Sequence, residues 1–310
     1  MNTTPNNINL ANSVCPACGQ AGGRNRGSKN DFRVLSCEAC GTLFTVQLPG
    51  ISHSQDYSDY YTAENLTVPA FIDKRLDEIV STFEPYRKNN RLLDVGFGAG
   101  SFLKAAARNN WQPFGVEVSQ PAVEHLRECG FEVFCGELEK AVYADDHFDV
   151  VILSEVLEHV PDPMSLVEAS VRVLRPGGLL WATTPHGRGI SARLLGLEWS
   201  NVCPPDHLQL FSVAGTKGLL SSTGLKRFEI KTHGTNPFEI LHSVRARMKG
   251  TAPEKNGLAN ERESFNRVES SYQLNEFLSD SPLRRFLKGT LNELLNVVGM
   301  GDSLKIRAEK

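Results

Sequence analysis

The sequence has no apolar run near the roughly 20 residues that a bilayer-spanning helix needs, so an integral membrane protein is excluded. It also lacks a basic excess: 33 Lys and Arg stand against 36 Asp and Glu, a net charge of −3, where a chain that lives on nucleic acid carries a surplus of cations. Met1 to Ser13 is rich in asparagine and has none of the apolar stretch of a secretory signal, so the expected compartment is cytoplasmic. There is no Gly-x-Ser-x-Gly elbow, no Walker loop and no His-Glu-x-x-His, which removes the commonest hydrolase, NTPase and metalloprotease signatures. Internal repeats and low-complexity tracts are absent as well.

What is present is an ordinary globular composition, 40% hydrophobic and 22% charged, in a chain of 310 residues that can bury one large core or two modest ones. Cysteine is scarce and uneven. Three of the seven, Cys129, Cys135 and Cys203, are scattered and read as free thiols in a reducing compartment. The other four form two Cys-x-x-Cys knuckles, Cys15-Pro-Ala-Cys18-Gly and Cys37-Glu-Ala-Cys40-Gly, with 18 residues between the pairs. Each knuckle can present two thiolates to one ion, and four thiolates at this spacing match a tetrahedral zinc site, with rubredoxin-like iron as the rival. A module this small and poor in apolar residues would owe its folding to the metal. Arg24, Arg26, Lys29 and Arg33 lie between the knuckles and are candidates for phosphate contact.

Beyond the knuckles, 46–67 is polar, with a tyrosine cluster at Tyr57, Tyr60 and Tyr61 that either closes over a ligand or staples the linker. Apolar spacing predicts an amphipathic helix over 70–88. Short apolar runs then alternate with helical patterns. Strands are expected at 91–96, 113–118, 131–135, 147–154, 179–184 and 228–232; helices at 101–109, 121–129, 164–174 and 213–223. That alternation means an α/β fold with a mainly parallel sheet covered on both faces. Residues 237–300 break the rhythm. Within them Leu283, Phe286, Leu287, Leu291, Leu294, Leu295 and Val298 mark a helix with one apolar face, a lid, a dimer surface or plain packing, before a last strand at 303–308.

The sharpest motif is Arg91-Leu-Leu-Asp-Val-Gly-Phe-Gly-Ala-Gly-Ser-Phe, a strand running through Gly96, Gly98 and Gly100 into a helix. Glycines let a ligand approach the helix N-terminus closely. Asp94, two residues before the first glycine, would repel a pyrophosphate and suits a cation, which points to a sulfonium or amino-acid ligand rather than a dinucleotide. Glu117 ends the next strand, 23 residues after Asp94, where a carboxylate can take both ribose hydroxyls.

With Leu93-Asp-Val-Gly-Phe-Gly-Ala-Gly, Gly115-Val-Glu-Val-Ser, Phe148-Asp-Val-Val-Ile-Leu-Ser-Glu-Val-Leu-Glu-His-Val-Pro-Asp-Pro and Leu174-Arg-Pro-Gly-Gly, the chain resembles the class I S-adenosylmethionine-dependent methyltransferases over 92–230 and again near 301–309. The resemblance implies a seven-stranded Rossmann-like sheet whose last strand is antiparallel, with helices on both faces. It divides the chain into a zinc ribbon (1–48), a linker and leading helix (49–90), a methyltransferase domain (91–236), a mostly helical insertion or lid (237–300) and the last strand (301–310). It also implies that Asp94, Gly96, Phe97, Gly98 and Gly100 hold the methionine part of the cofactor, and Glu117 with Val118 the ribose. Glu137 and Leu138 would border the adenine, and Ser154 and Glu155 the sulfonium and substrate.

An acceptor would meet the cofactor beyond the carboxyl ends of the strands. Two segments there carry imidazoles: Glu158-His159-Val160, and the loop from Thr184-Pro-His-Gly-Arg through Pro204-Pro-Asp-His-Leu-Gln. His207 is the first choice for a general base, with Asp206 orienting it or capping the next helix; His159 is the second and His186 a weaker third. The expected function is methyl transfer to a small-molecule or carrier-linked acceptor, a saccharide or lipid-like precursor, at oxygen. The alternatives are an RNA methyltransferase that reads its substrate through the ribbon, and a non-catalytic cofactor-binding scaffold. The acidic whole and the lack of aromatics among the ribbon's basic residues favour the small molecule.

Overall fold

A computed structural model describes residues 13–47, 70–248 and 281–310. The segment between the knuckles and the stretch after the second one fold as an antiparallel meander of β1 (Arg24–Lys29), β2 (Phe32–Ser36) and β3 (Leu43–Gln47). Next comes α1 (Ala70–Ser81), shorter than its periodicity predicts. Ser81 and Thr82 bond back to carbonyls of the helix, and Pro85, which has no N–H to donate, sits in a separate turn over Glu84–Tyr86.

The alternation then appears as β4 (Arg91–Val95), α2 (Ser101–Arg108), β5 (Gln112–Glu117), α3 (Gln120–Glu128), β6 (Glu132–Cys135), β7 (Phe148–Ser154), α4 (Pro163–Val173) and β8 (Leu174–Pro185). α4 starts where Asp162 accepts from the Ser165 amide at 3.1 Å, with Pro163 in the first turn. β8 begins at Leu174, five residues before the expected Leu179. Pro176, Gly177 and Gly178 end the helix without ending the strand, and its pairing with β7 shifts register there. α5 (Ile190–Leu195), β9 (Gln209–Leu210), α6 (Val213–Ser222), β10 (Arg227–His233), α7 (Pro237–Met248), α8 (Pro282–Val297) and β11 (Ser303–Glu309) complete the described elements.

The large sheet has seven strands in the order β10-β11-β8-β7-β4-β5-β6. β11 lies antiparallel to both neighbours, and the pairings among β4, β5, β6, β7 and β8 are parallel, as the resemblance implies. Val150 to Leu153 of the central β7 are fully buried, which explains their unbroken apolar run, while the buried Asp149 before them pairs with Arg175. On one face α1 and α2 pack Leu76, Val80, Phe83 and Phe102 around Trp181, whose ring meets Phe102 edge-on at 5.2 Å.

The four-stranded second sheet, β1-β2-β3-β9, joins the two parts of the chain, because β9 comes from the loop after β8. Leu43 pairs with Leu210 and Phe44 with Gln209. Lys29 Nζ donates to the Leu197 carbonyl at 2.9 Å and Asn30 to the Pro204 carbonyl at 2.8 Å. Cys15, Ala17, Cys37 and Cys40 belong to the same apolar cluster as Phe211 and Leu219.

α8 turns its polar side inward. Asn292 and Asn296 accept amide protons of Gly234 and Thr232 through their side chains, while Phe286, Leu287, Leu291 and Leu294 are exposed. The tyrosine cluster at Tyr57, Tyr60 and Tyr61 lies outside the described residues. No helix among the described residues is long and apolar enough to cross a membrane.

Candidate active site

Asp94 stands one residue before the end of β4, 2% exposed, and the chain then turns through Gly96, Gly98 and Gly100 at φ 69°, 53° and 72°. Only glycine takes that left-handed series without strain. At Gly100 a Cβ would also lie 2.5 Å from Leu126 Cδ1, so the absent side chain lets α3 pack onto the turn. The Gly96 amide donates to the Val116 carbonyl at 2.7 Å, which ties the turn to the tip of β5.

Glu117 at that tip closes the cradle. One carboxylate oxygen accepts from the Gly98 amide at 3.0 Å; the other accepts from Val118 at 2.8 Å and Ser119 at 3.0 Å. Burial and the charge of Glu117 push the Asp94 carboxyl well above the usual carboxylate range. A cationic ligand relieves both effects, so the pocket fits an ammonium or sulfonium group. Phe97 is buried over Gly115, where a Cβ would stand 2.5 Å from the Phe97 ring. Val118 is 48% exposed, Leu138 is buried, and Glu137 is exposed and paired with Lys140 at 2.8 Å.

Beyond β7, Ser154 Oγ lies 3.3 Å from Thr183 Oγ1, and Glu155 takes a left-handed backbone, φ 55°, which is uncommon for a residue with a Cβ. Glu158 is fully buried. It accepts from the Thr184 hydroxyl at 3.0 Å, and its carbonyl accepts from the Leu208 amide at 2.8 Å. Burial and the Glu155 charge raise its carboxyl well above the ordinary value.

His159 and His207 come together from segments 48 residues apart, ring centroids 4.8 Å apart at 74°. Each ring is oriented by a backbone carbonyl, Asp206 O for His159 and Asn201 O for His207, both at 2.7 Å from Nδ1. A carbonyl can only accept, so Nδ1 carries the proton in both and Nε2 carries the lone pair. Burial lowers the His159 pKa against the opposing pull of the Asp206 carbonyl and the carboxylates of Glu155, Asp206 and Glu117.

Asp206 therefore meets His159 through its carbonyl while its side chain is exposed, and it caps no helix; Ser212 caps α6 by accepting from the Gly215 amide at 2.8 Å. His186 stands apart from the pair, buried, with Nδ1 donating to the Gly301 carbonyl at 2.8 Å. Sequence reasoning placed Glu158 and Thr184 in the two acceptor-side segments but gave neither a role, and missed the hydrogen bond that joins them. The only available signal was an acid beside a histidine already singled out. A cleft of about 280 Å³ opens at the other end of the large sheet, among Tyr86, Leu179, Arg227 and Glu309. Parallel sheets bind ligands at the opposite end, where the carboxylates are.

In the ribbon, Cys15 Sγ lies 3.7 Å from Cys40 Sγ and Cys18 Sγ 3.6 Å from Cys37 Sγ, all four within 4.8 Å of one another. These separations are far too long for disulfides. They match the ~3.8 Å sulfur spacing that follows from ~2.3 Å Zn–S bonds in a tetrahedron. A hydrogen bond from Cys15 pulls the Cys40 thiol down to about 4, and the same contact raises Cys15.

A model of the methyltransferase domain matches residues 68–229, and the chain belongs to that family, the class I S-adenosylmethionine-dependent methyltransferases. Among curated proteins it is similar to ubiquinone biosynthesis O-methyltransferases. The protein of Ralstonia nicotianae is 33% identical over 53% of this chain and 73% of its own length, and that of Thiobacillus denitrificans 31% over 50% and 73%. The relative in Methylococcus capsulatus is 37% identical over 34% of this chain, and the match spans about half of that relative, 48%. Two solved structures share the fold. A SAM-dependent methyltransferase from Archaeoglobus fulgidus has TM-score 0.52 and 16% identity, over 82% of this chain and all of the other. Phosphoethanolamine N-methyltransferase 2 of Haemonchus contortus, solved with S-adenosyl-L-methionine, has TM-score 0.53 and 19% identity, over 86% of this chain and 63% of the other.

Proposed function

We propose that this chain transfers a methyl group from S-adenosylmethionine to a hydroxyl oxygen of a small-molecule or carrier-linked acceptor, a saccharide or lipid-like precursor. When bound, the cofactor supplies a methyl already activated by a positive sulfur. Asp94 and Glu117 present negative charge to its cationic groups, and the Gly96–Gly100 turn admits its methionine part against backbone. Glu117 and Val118 face the ribose, Glu137 and Leu138 flank the adenine, and Ser154 and Glu155 line the path to the acceptor.

As the acceptor oxygen bonds the methyl carbon, the carbon–sulfur bond breaks with its electron pair returning to sulfur, and the hydroxyl proton passes to Nε2 of His207 or His159. Rings whose Nδ1 is held by a backbone carbonyl are oriented to act as a base. Alignment supplies on the order of 7–11 kcal/mol, and the base about 10²–10⁴-fold. The four cysteines would hold zinc as a structural ion; the sulfur spacing supports this.

The observation that carries the reading is the pair of acidic strand tips around a three-glycine turn, with two imidazoles beyond the adjoining strand. The likeness to the O-methyltransferases of ubiquinone biosynthesis supports oxygen as the target. Calorimetry with S-adenosylhomocysteine, then turnover of S-adenosylmethionine with a panel of hydroxylated acceptors, tests it. Folded, zinc-loaded protein with no affinity for either cofactor form overturns the reading. RNA binding whose affinity falls steeply with salt would move the acceptor to nucleic acid.

A further inference from the structure

We propose that Arg75, Lys288 and Lys305, gathered around His233, form a binding site for a phosphate group carried by the acceptor, beside the end of β8 on the face of the sheet that α1 covers. Sheet register sets the place. Lys305 of β11 pairs with Thr183 of β8 on one side and with Lys231 of β10 on the other, and residues directly opposite share a face. Trp181, two residues before Thr183, packs with Leu76 and Val80 of α1, so Lys305 stands on that face as well. Arg307, two residues along β11, marks the same face: its guanidinium donates to the Thr82 hydroxyl at 3.0 Å and the Thr82 carbonyl at 3.2 Å, just past α1. α1 supplies Arg75. α8 supplies Lys288, one turn before Asn292, whose side chain accepts from the Gly234 amide next to His233.

Like charges are assembled here and not cancelled. Burial, with the charges of Arg75, Arg307 and Lys231, lowers the Lys305 pKa, and burial with Arg75 lowers that of Lys288. His233 Nε2 is shut off from solvent with no hydrogen-bond partner among the described residues. Burial and the charges of Lys305, Arg75 and Lys288 push that ring down to about 4. The flanking cations are engaged, Arg307 with Thr82 and Lys231 with Glu229 at 2.8 Å. Arg75 and Lys305 make no ion pair or side-chain hydrogen bond among the described residues. Partly buried cations held together without a carboxylate are costly. An oxyanion cancels their repulsion, and phosphate, with more charge and more oxygens than a carboxylate, matches a guanidinium and two ammonium groups at once.

The place also suits the reaction. Thr183 Oγ1 lies 3.3 Å from Ser154 Oγ at the end of β7, so Lys305 stands two strand spacings, ~10 Å, from that tip. An acceptor that spans the gap carries its phosphate at one end and its reacting hydroxyl at the other. This role rests on the methyl-transfer reading; the binding of phosphate does not.

The test is a titration of the full, zinc-loaded chain with inorganic phosphate, followed through the histidine ring protons by NMR, with the His233 signal assigned from His233→Gln. A saturable change is expected, and the His233 pKa should rise from about 4 to about 5 or more as an anion offsets the cations. Phosphate affinity should fall at least about tenfold in Lys305→Met and in Arg75→Met. Unchanged S-adenosylhomocysteine affinity identifies variants that remain folded, and Arg75, which is exposed, covers the case in which Lys305→Met does not fold. In turnover, inorganic phosphate should compete with a phosphorylated acceptor and not with its dephosphorylated form. Absence of a saturable change, affinity that both folded variants retain, or acetate bound as tightly as phosphate overturns the site. Phosphate binding without that competition overturns its role for the acceptor. Loss of S-adenosylhomocysteine affinity in the unaltered protein would instead overturn the methyltransferase reading and leave the phosphate result standing.

Discussion

Thr45 and Leu208 share one acceptor: the Leu208 carbonyl takes the Thr45 amide at 2.9 Å and the Thr45 hydroxyl at 3.0 Å. The Leu208 amide in turn donates to the Glu158 carbonyl at 2.8 Å. Two peptide units therefore separate the cysteine module from the buried acid of the site. Ser212 adds a second tie through its hydroxyl to the Cys40 carbonyl at 2.6 Å.

The ribbon is consequently expected to hold the acceptor loop in place. Cys37→Ser should release the metal, seen as loss of zinc by elemental analysis, and should speed amide exchange over 201–212 while S-adenosylhomocysteine still binds. Methyl transfer should fall although cofactor affinity does not. Unaltered exchange in 201–212 would show that β3 and β9 stay paired without the ion.

Glu117→Ala removes the carboxylate proposed to take the ribose and also the acceptor of the Gly98 amide. Charge-assisted hydrogen bonds contribute roughly 1.5–3 kcal/mol, which is about ten- to a hundredfold in dissociation constant. Calorimetry with S-adenosylhomocysteine should show that weakening, with Glu117→Gln intermediate because an amide oxygen still accepts. Equal affinity in all three proteins would mean that the acid points away from the ligand.

Acid should destabilise the fold through buried histidines. Burial drives His186 from its ordinary 6.5 down to about 4, and His233 likewise to about 4. Between those values the unfolded chain binds a proton that the folded chain refuses. Stability is therefore complete above pH 6.5, declines as the pH falls through the window, and levels off below about 4. Each histidine contributes on the order of 3 kcal/mol to that decline. His186→Asn keeps a donor for the Gly301 carbonyl and removes that residue's titration, so the slope of Tm against pH between 4 and 6.5 should fall. An unchanged slope would locate the acid sensitivity elsewhere.

The cofactor side was legible because it is local. Asp94, the three glycines and Glu117 sit within two strand ends, and each leaves a mark in the sequence: an acid before a turn, a glycine where φ must be positive, an acid closing a buried run. The sheet was legible for the same reason, since strand–helix alternation is written in periods of 2 and 3.6. The acceptor side was only half legible. Both histidines could be singled out as polar groups in the right loops, but their contact joins segments 48 residues apart. Glu158 stood in the right segment, but nothing in the sequence marks it as buried and bonded to Thr184. β9 is two residues long, too short for any pattern, and its pairing with β3 is set by tertiary packing. α8 was readable as amphipathic, yet the apolar face was the wrong guide to its contacts, because Asn292 and Asn296 make the bonds to the sheet.

Ser303–Glu309 runs between β8 and β10, hydrogen-bonded to both along its whole length. The sheet therefore has a keystone made from residues more than a hundred positions downstream of β8. Until that segment arrives, β8 presents a raw edge and β10 has no neighbour in the sheet. An unpaired edge of this kind invites pairing with another chain. A truncation before Ser303 should be felt first as self-association during expression, ahead of any loss at the distant glycine turn.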